Sequence, residues 1–487
     1  MSNVKTNVNE DGAIRDARKL GIPKMILLGL QHTFAMFGAT VLVPIITGLS
    51  VPITLFMAGF GTLLFHVFTK FKVPAFLGSS FAFLGGYAAV APMLEDGAPN
   101  KELLPYACAG VAVAGLLYLL LALLIKLVGT QKVMRFFPPV VTGPIIIAIG
   151  LILAPSAITN CMSNWIVAVT AIVVIIAFNI WGKGMMKIIP IILGIASGYI
   201  VALILYFIAQ ANPELMTSAP GLFTANGSAL FSFDAVGSAK IIGLPFVASE
   251  FAFKPFLNFD AKTLSAIISI VPIALATMME HIGDISAISA TTGKNFIADP
   301  GLHRSLLGDG LATTVSSLFG GPANTTYGEN TGVLVLTKVY DPRVIRIAAY
   351  FAIGFSFFPI LGAAIGTIPT AVIGGVSLIL YGMISAVGVR NIVDSRVDFT
   401  KTRNVIISAV ILVSALGFNS VGGLVIPVGT HSITLSGLAI AALLGIILNA
   451  ILPGKDYVFN NAQPNETGVN FAIGPSTTKE GKETVKK

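Results

Sequence analysis

Glu280, in the run LATMMEHIGD, and Glu329, in PANTTYGENTGVLVLTK, are carboxylates inside apolar stretches of a chain that is 55% hydrophobic and 11% charged. Asp284 follows Glu280 by four residues, so on a helix the two acids share a face while His281 is turned away by about 100°. A carboxylate at the centre of a membrane helix costs about 2.5 to 3.5 kcal/mol, so three unpaired acids would cost roughly 8 to 10 kcal/mol. No Lys or Arg lies nearby in these segments to neutralise them, and only His32 and His281 come close. A proton, a bound cation or a polar solute must compensate. A carboxylate facing a cavity accepts N–H donors from a neutral planar ligand, and once protonated it donates instead. The alternative for each acid is a helix-to-helix hydrogen bond. For Asp284 a supporting or proton-relay role stands level with that alternative.

Other residues add to the constellation. Gly328 has no side chain to keep a ligand from its backbone N–H. Asn330 either touches the ligand or ties down its loop, and Phe81 offers either a stacking face for a planar ring or ordinary core packing. His32 reads as a satisfied bundle residue more readily than as a ligand. Asp309, in SLLGDGLATT, reads as a buried polar residue that holds helices together. Tyr381 suits the wall or gate of a cavity.

These residues need membrane helices to hold them. The chain of 487 residues, with 50 Gly and 32 Phe, has the composition of a polytopic membrane protein, not a soluble enzyme. Apolar stretches fall at 24–48, 51–70, 74–93, 103–128, 137–156, 164–182 and 187–210, then at 262–289, 305–320, 322–338, 343–366, 368–389, 404–420 and 434–453. The expected fold is all-α with fourteen transmembrane segments in two sets of seven, 24–210 and 262–454. A solvated tail, 1–23, precedes them; a loop, 211–261, joins them and could partly cover the entrance; a polar, disordered tail, 455–487, follows. With both termini in the cytoplasm, all of the 30 Lys and Arg except Lys101, Lys240, Lys254 and Lys262 fall inside, as the positive-inside rule asks. The net charge of +8 then reflects topology and lipid headgroups, and nucleic acid need not be invoked. Cys108 and Cys161 show no ligand spacing, so neither a disulfide framework nor a metal site is indicated. Zinc-protease, Walker and nucleophile-elbow motifs are missing from the sequence, which leaves an ion gradient or downhill flow as the driving force.

The halves resemble each other faintly. Gln31-His32 recurs as Glu280-His281 and Pro74-Ala75 as Pro322-Ala323, each roughly 250 residues on, and Pro138-x-x-Val141-x-Gly143 recurs as Pro369-x-x-Val372-x-Gly374. Seven is odd, so a second copy must insert upside down, which is the inverted-repeat plan of secondary transporters. The third segment of each half, PAFLGSSFAFLGG and PANTTYGENTGV, begins with Pro and is broken by small polar residues. Continuous helix is disfavoured there, and paired interrupted segments point to a transport site.

Gln31-His32 with FAMFGATVLVP, then PAFLGSSFAF, MMEHIGD, DPGLHRS and TYGENTGVLVLTKVY, resemble the nucleobase-ascorbate transporters over residues 24–454. The likeness includes that family's Glu/Gln-Asn-x-Gly-x4-Thr-Lys/Arg signature at Glu329 to Lys338, and Tyr-Gly-Glu-Asn is similar to its uracil-carrying members. The resemblance implies a core domain of segments 1–4 and 8–11, a gate domain of 5–7 and 12–14, and short antiparallel strands in segments 3 and 10. It also implies uracil–proton symport with no cofactor beyond the proton, a homodimer formed through gate domains, and the bacterial cytoplasmic membrane. Carried over residue by residue, Glu280, Glu329, Gly328, Tyr327, Phe81 and Ala39 would line the base pocket, with Ser80 and Tyr381 close by. One position departs: some uracil carriers have a second His where this chain has Asp284, the residue type found there in purine-carrying relatives.

Overall fold

The computed structural model describes residues 13–94, 98–225, 228–428 and 431–455. The first half comprises α1 (Ile22–Thr47), α2 (Val51–Phe68), β1 (Leu77–Ser79), α3 (Leu84–Val90), α4 (Leu104–Val128), α5 (Pro139–Met162), α6 (Trp165–Trp181) and α7 (Pro190–Ala211). The second comprises α8 (Ala261–Ile270), α9 (Ile273–Thr292), α10 (Leu302–Leu318), β2 (Asn324–Thr326), α11 (Gly328–Thr337), α12 (Pro342–Ser356), α13 (Pro359–Gly366), α14 (Thr370–Asp394), α15 (Thr402–Ser420), β3 (Leu424–Val428), β4 (His431–Leu435) and α16 (Gly437–Ile451). Local chemistry sets several boundaries. Gly48 closes α1 at φ 79°, a left-handed value, and Ser50 then caps α2 by accepting from the Ile53 N–H. Asn164 and Ser436 cap α6 and α16 in the same way.

Among the described residues eight helices are long and apolar enough to cross a membrane, or nine if α12 and α13, bent by 83°, make one crossing. The chain is therefore a multi-pass membrane protein. The bend falls where Pro359 removes a backbone donor from an otherwise continuous apolar run. Of the remaining expected segments, α6, α10 and α16 are short or polar, and the third and tenth are strand plus half-helix.

Those two interrupted segments meet. β1 and β2 pair antiparallel, Leu77 opposite Thr326 and Ser79 opposite Asn324. The ribbon is extended by the Tyr327 N–H on Phe76 O (3.0 Å) and the Ser80 N–H on Ala323 O (2.8 Å). A two-stranded ribbon has two bare edges, which must be satisfied away from water. One threonine on a neighbouring helix serves each edge. Thr62 Oγ1 of α2 accepts from the Leu77 N–H (2.9 Å) and donates to Leu77 O (3.2 Å). Thr313 Oγ1 of α10 does the same for Asn324, at 3.2 and 2.7 Å. The polar side chains of Thr62 and Thr313 are thereby accounted for.

Helix α5 lies along α14 at very close range: a Cβ added to Gly150 would sit 2.1 Å from Tyr381 O, and one on Gly388 would sit 2.6 Å from Gly143 O. Small residues allow this approach.

One expectation about the connecting segments changes. The tail expected to be solvated is docked from residue 13 onward: the Ile14 N–H donates to Lys338 O (2.8 Å), Tyr340 donates to Ile14 O (2.9 Å), and the Ala17 N–H donates to Asp341 Oδ2 (2.7 Å). Arg15 Nη1 also reaches Thr292 O at 2.8 Å. Ala13 and Ala17 are buried, which supplies the apolar contact missing from the tail's charge pattern. The described residues of the loop 211–261 form short helical turns, and the open cavity at that surface is lined by residues of α3, α4, α5, α8, α15 and the β4 to α16 corner. The expected disorder of 455–487 concerns residues that, from 456 on, lie outside those described.

Candidate solute site

The β1/β2 ribbon brings the N-terminus of α11, just after Tyr327, and the link from β1 to α3, at Phe81 and Ala82, to one cavity. Its lining on this side is Ser79, Phe81, Ala82, Thr325, Thr326, Tyr327, Gly328 and Glu329, joined by Ala276, Glu280 and Asp284 from α9. The opposite wall is Ile146 and Ile149 of α5 with Leu380, Ile384 and Val387 of α14. Glu329 occupies the first turn of α11, where unsatisfied N–H groups favour an acceptor. Among the described residues neither Glu280 nor Glu329 forms an ion pair. Asp284 is engaged, accepting from Thr326 Oγ1 at 2.7 Å.

The tyrosine of the signature run is held from behind. Tyr327 Oη donates to Ser79 O (2.8 Å) and lies 3.1 Å from Ser79 Oγ, which itself donates to Thr40 O (3.0 Å). Gly78 is what lets this ring in: a Cβ there would be 2.5 Å from two ring carbons.

The structure thus brings Glu280, Asp284, Glu329, Gly328, Tyr327 and Phe81 to one cavity. It places the other named residues behind or beside it. Ala39 is fully buried beneath Ser79, its carbonyl 3.4 Å from Ser79 Oγ. Ser80 is buried on the ribbon. Tyr381 is buried on α14, beside the cavity-facing stripe Leu380, Ile384 and Val387, because a step of one residue turns a side chain by about 100°. His32 and Asn330 brace α1 against α11, with Asn330 Nδ2 donating to His32 O (3.0 Å) and lying 3.2 Å from His32 Nδ1. His281 Nδ1 lies 3.1 Å from Asp309 Oδ2, both side chains fully buried between α9 and α10. Tyr118 of α4 donates to Thr277 of α9 on the same flank.

Sequence reasoning missed Thr325 and Thr326, the small residues Ser79, Ala82 and Ala276, and the five apolar wall residues. The threonines carried a signal, being polar and three and four residues before Glu329 in an interrupted span. The wall residues carried none, since an i, i+4, i+7 apolar stripe faces lipid as readily as a cavity.

A family model described as "Permease family" matches residues 23–424. The chain belongs to the nucleobase-ascorbate family of permeases, and so is a transporter and not an enzyme. It is similar to the uracil permease of Bacillus caldolyticus (40% identity over 92% of this chain and 96% of that protein) and to that of Bacillus subtilis strain 168 (39%, 88% and 92%). The uracil permease of Escherichia coli K12 is 35% identical over 88% of this chain and 90% of its own length. Among solved structures, the fold is similar to the transmembrane domain of a cyanobacterial bicarbonate transporter, BicA (TM-score 0.56, 15% identity, 90% of this chain and 99% of that one), and to SLC26A9 (0.57, 12%, 88% and 64%).

Proposed function

We propose that this permease imports uracil together with a proton by alternating access. The observation that carries the reading is the pair of carboxylates, Glu280 and Glu329, opening on one cavity without a cationic partner beside the ring of Phe81. A planar heterocycle with alternating N–H and C=O groups complements that set: the carboxylates accept its N–H groups, the backbone N–H groups at the start of α11 donate to its carbonyls, and Phe81 covers a face. A proton on Glu280, with Asp284 as partner, removes the charge that would otherwise face the apolar wall. The names of the relatives support uracil as the solute.

The architecture belongs to the same proposal. Fourteen crossings form two inverted repeats; segments 1–4 and 8–11 make a core that carries the solute, and segments 5–7 and 12–14 a gate that also dimerises. The matched strands and the matched roles of Thr62 and Thr313 support the repeat. The segregation of Lys and Arg supports cytoplasmic termini in a bacterial cytoplasmic membrane.

Uptake of labelled uracil into proteoliposomes under an imposed inward proton gradient tests this. Accumulation above the external level that collapses with a protonophore is expected; equilibration only would indicate a passive channel, and dependence on sodium at fixed pH a different coupling ion. A second reading, purine transport, draws on Asp284 in the lining. Competition by xanthine, hypoxanthine and urate separates the two.

A further inference from the structure

The stretch Ile241–Phe259, between α7 and α8, contains only two charged residues, Glu250 and Lys254. Pro245, Ala252 and Pro255 are buried against the protein, while Ile242 (71%), Leu244 (79%) and Leu257 (82%) are among the most exposed large apolar residues of the molecule, with Ile241 and Phe259 beside them. A run of this kind, sorted into an inward and an outward apolar face, marks an interaction surface.

Its depth identifies the partner. The Gly243 N–H donates to Phe357 O (3.0 Å), at the bend between α12 and α13, and the Ala252 N–H donates to Leu318 O (3.0 Å), the last residue of α10. Leu318 ends α10 and Phe357 caps the end of α12 before the chain turns by 83° into α13, so the stretch runs along the end of the helix bundle opposite Asp341 and Lys72. The far end of α10 is marked by the Lys72–Asp299 ion pair (2.5 Å), at the opposite surface. Phe251, Phe253 and Phe319 pack edge to face at 5.3 to 6.0 Å, and Phe246 joins Phe56 of α2 at 4.8 Å. Phe60, one turn along α2 from Phe56, is 37% exposed on that helix's outer flank, so the apolar rim continues into the surface that lipid tails cover.

We infer that Ile241–Phe259 is an interfacial strap, lying in the headgroup layer with Ile242, Leu244 and Leu257 dipped into the acyl chains of the leaflet opposite the docked N-terminal segment. The partner is a lipid surface, whatever solute the permease carries.

The test uses full-length protein in which Trp165 and Trp181 are replaced by Phe and one Trp is introduced as Leu244→Trp or Leu257→Trp, with Ser228→Trp as an exposed control. The proteoliposomes contain lipids brominated near the headgroup or near the chain end. Both strap tryptophans are expected to be quenched by bromolipid, more strongly by the shallow label, and to be roughly twofold or more less accessible to acrylamide than the control. Acrylamide access equal to the control without bromolipid quenching would overturn the inference in favour of water. Protection from both quenchers that rises with protein density would overturn it in favour of a second copy of the chain. Two independent positions, each checked by melting temperature, keep the reading secure against one misfolded variant.

Discussion

A single methyl group at Gly78 is expected to disable the site from behind. The Cβ of Gly78→Ala would lie 2.5 Å from two carbons of the Tyr327 ring and 2.9 Å from Thr40 Oγ1. The ring cannot swing away cheaply, because its hydroxyl is bonded to Ser79 O at 2.8 Å and its backbone N–H to Phe76 O at 3.0 Å. Nor can Gly78 retreat, paired as it is with Thr325 across the ribbon. Overpacking of this kind costs about 1 to 3 kcal/mol. If the ring is displaced into the cavity, that cost appears as binding weaker by about 5- to 150-fold. Binding of uracil to purified protein, by calorimetry or scintillation proximity, reads the loss. The cause is isolated by a double variant: Tyr327→Ala removes the clashing ring, so Gly78→Ala on that background should cost little further. Gly78→Ala protein that binds and melts like the parent, or a penalty undiminished in the Tyr327→Ala background, would refute the argument.

Glu280→Gln keeps a hydrogen-bonding group of the same size but cannot gain or lose a proton, so it should retain part of uracil binding while losing accumulation driven by a pH gradient; full accumulation would sink the proposed coupling. Thr62→Val and Thr313→Val each strip two hydrogen bonds from a buried strand edge, at about 1 to 3 kcal/mol, and should lower the melting temperature in detergent by similar amounts. Thr326→Val removes the donor 2.7 Å from Asp284 and should shift the pH profile of uptake, whereas Thr326→Ser should restore it. The hydrogen bond from Arg18, with Arg343 adding to it, holds the Asp16 carboxyl below the usual aspartate range. A lowered folded pKa stabilises above the unfolded value of about 4 and is lost as pH falls through the folded one. Amide exchange over residues 13–21 should therefore stay slow to about pH 4 and rise only in stronger acid.

Most of the crossing helices were legible because lipid imposes a length and a composition on them, and the interrupted third and tenth segments were legible because Pro, Gly, Ser and Thr cluster where helix is weakest. The acids stood out for the same reason, being costly where they lie. What escaped was set by tertiary partners. Nothing local to Ala17 tells that Asp341, more than three hundred residues away, receives its N–H. The cavity stripe of α14 differs from a lipid-facing stripe only in what lies opposite; the bend before Pro359, by contrast, had a local cause that the apolar run around it masked.

The polar groups of the cavity come from α9, the ribbon and the start of α11, whereas the wall contributed by α5 and α14 is apolar throughout. This lopsidedness supports a transport cycle on physical grounds. A wall without hydrogen-bonding groups has no register, so a loaded core passing along it exchanges one set of dispersion contacts for another at little cost. An empty core presenting ionised Glu280 and Glu329 to the same wall would strip water from two charges with nothing in return. Under the proposed cycle, proton and solute together would remove that penalty and neither would do so fully alone, so their coupling would follow from where the carboxylates sit. Placing a hydrogen-bonding side chain on the wall should loosen the coupling by giving the empty core a partner. Ile149→Asn is therefore expected to permit uracil efflux without a proton gradient and to lower the accumulation ratio while leaving binding nearly intact; tight coupling retained in that variant would show that the apolar wall is not what enforces it.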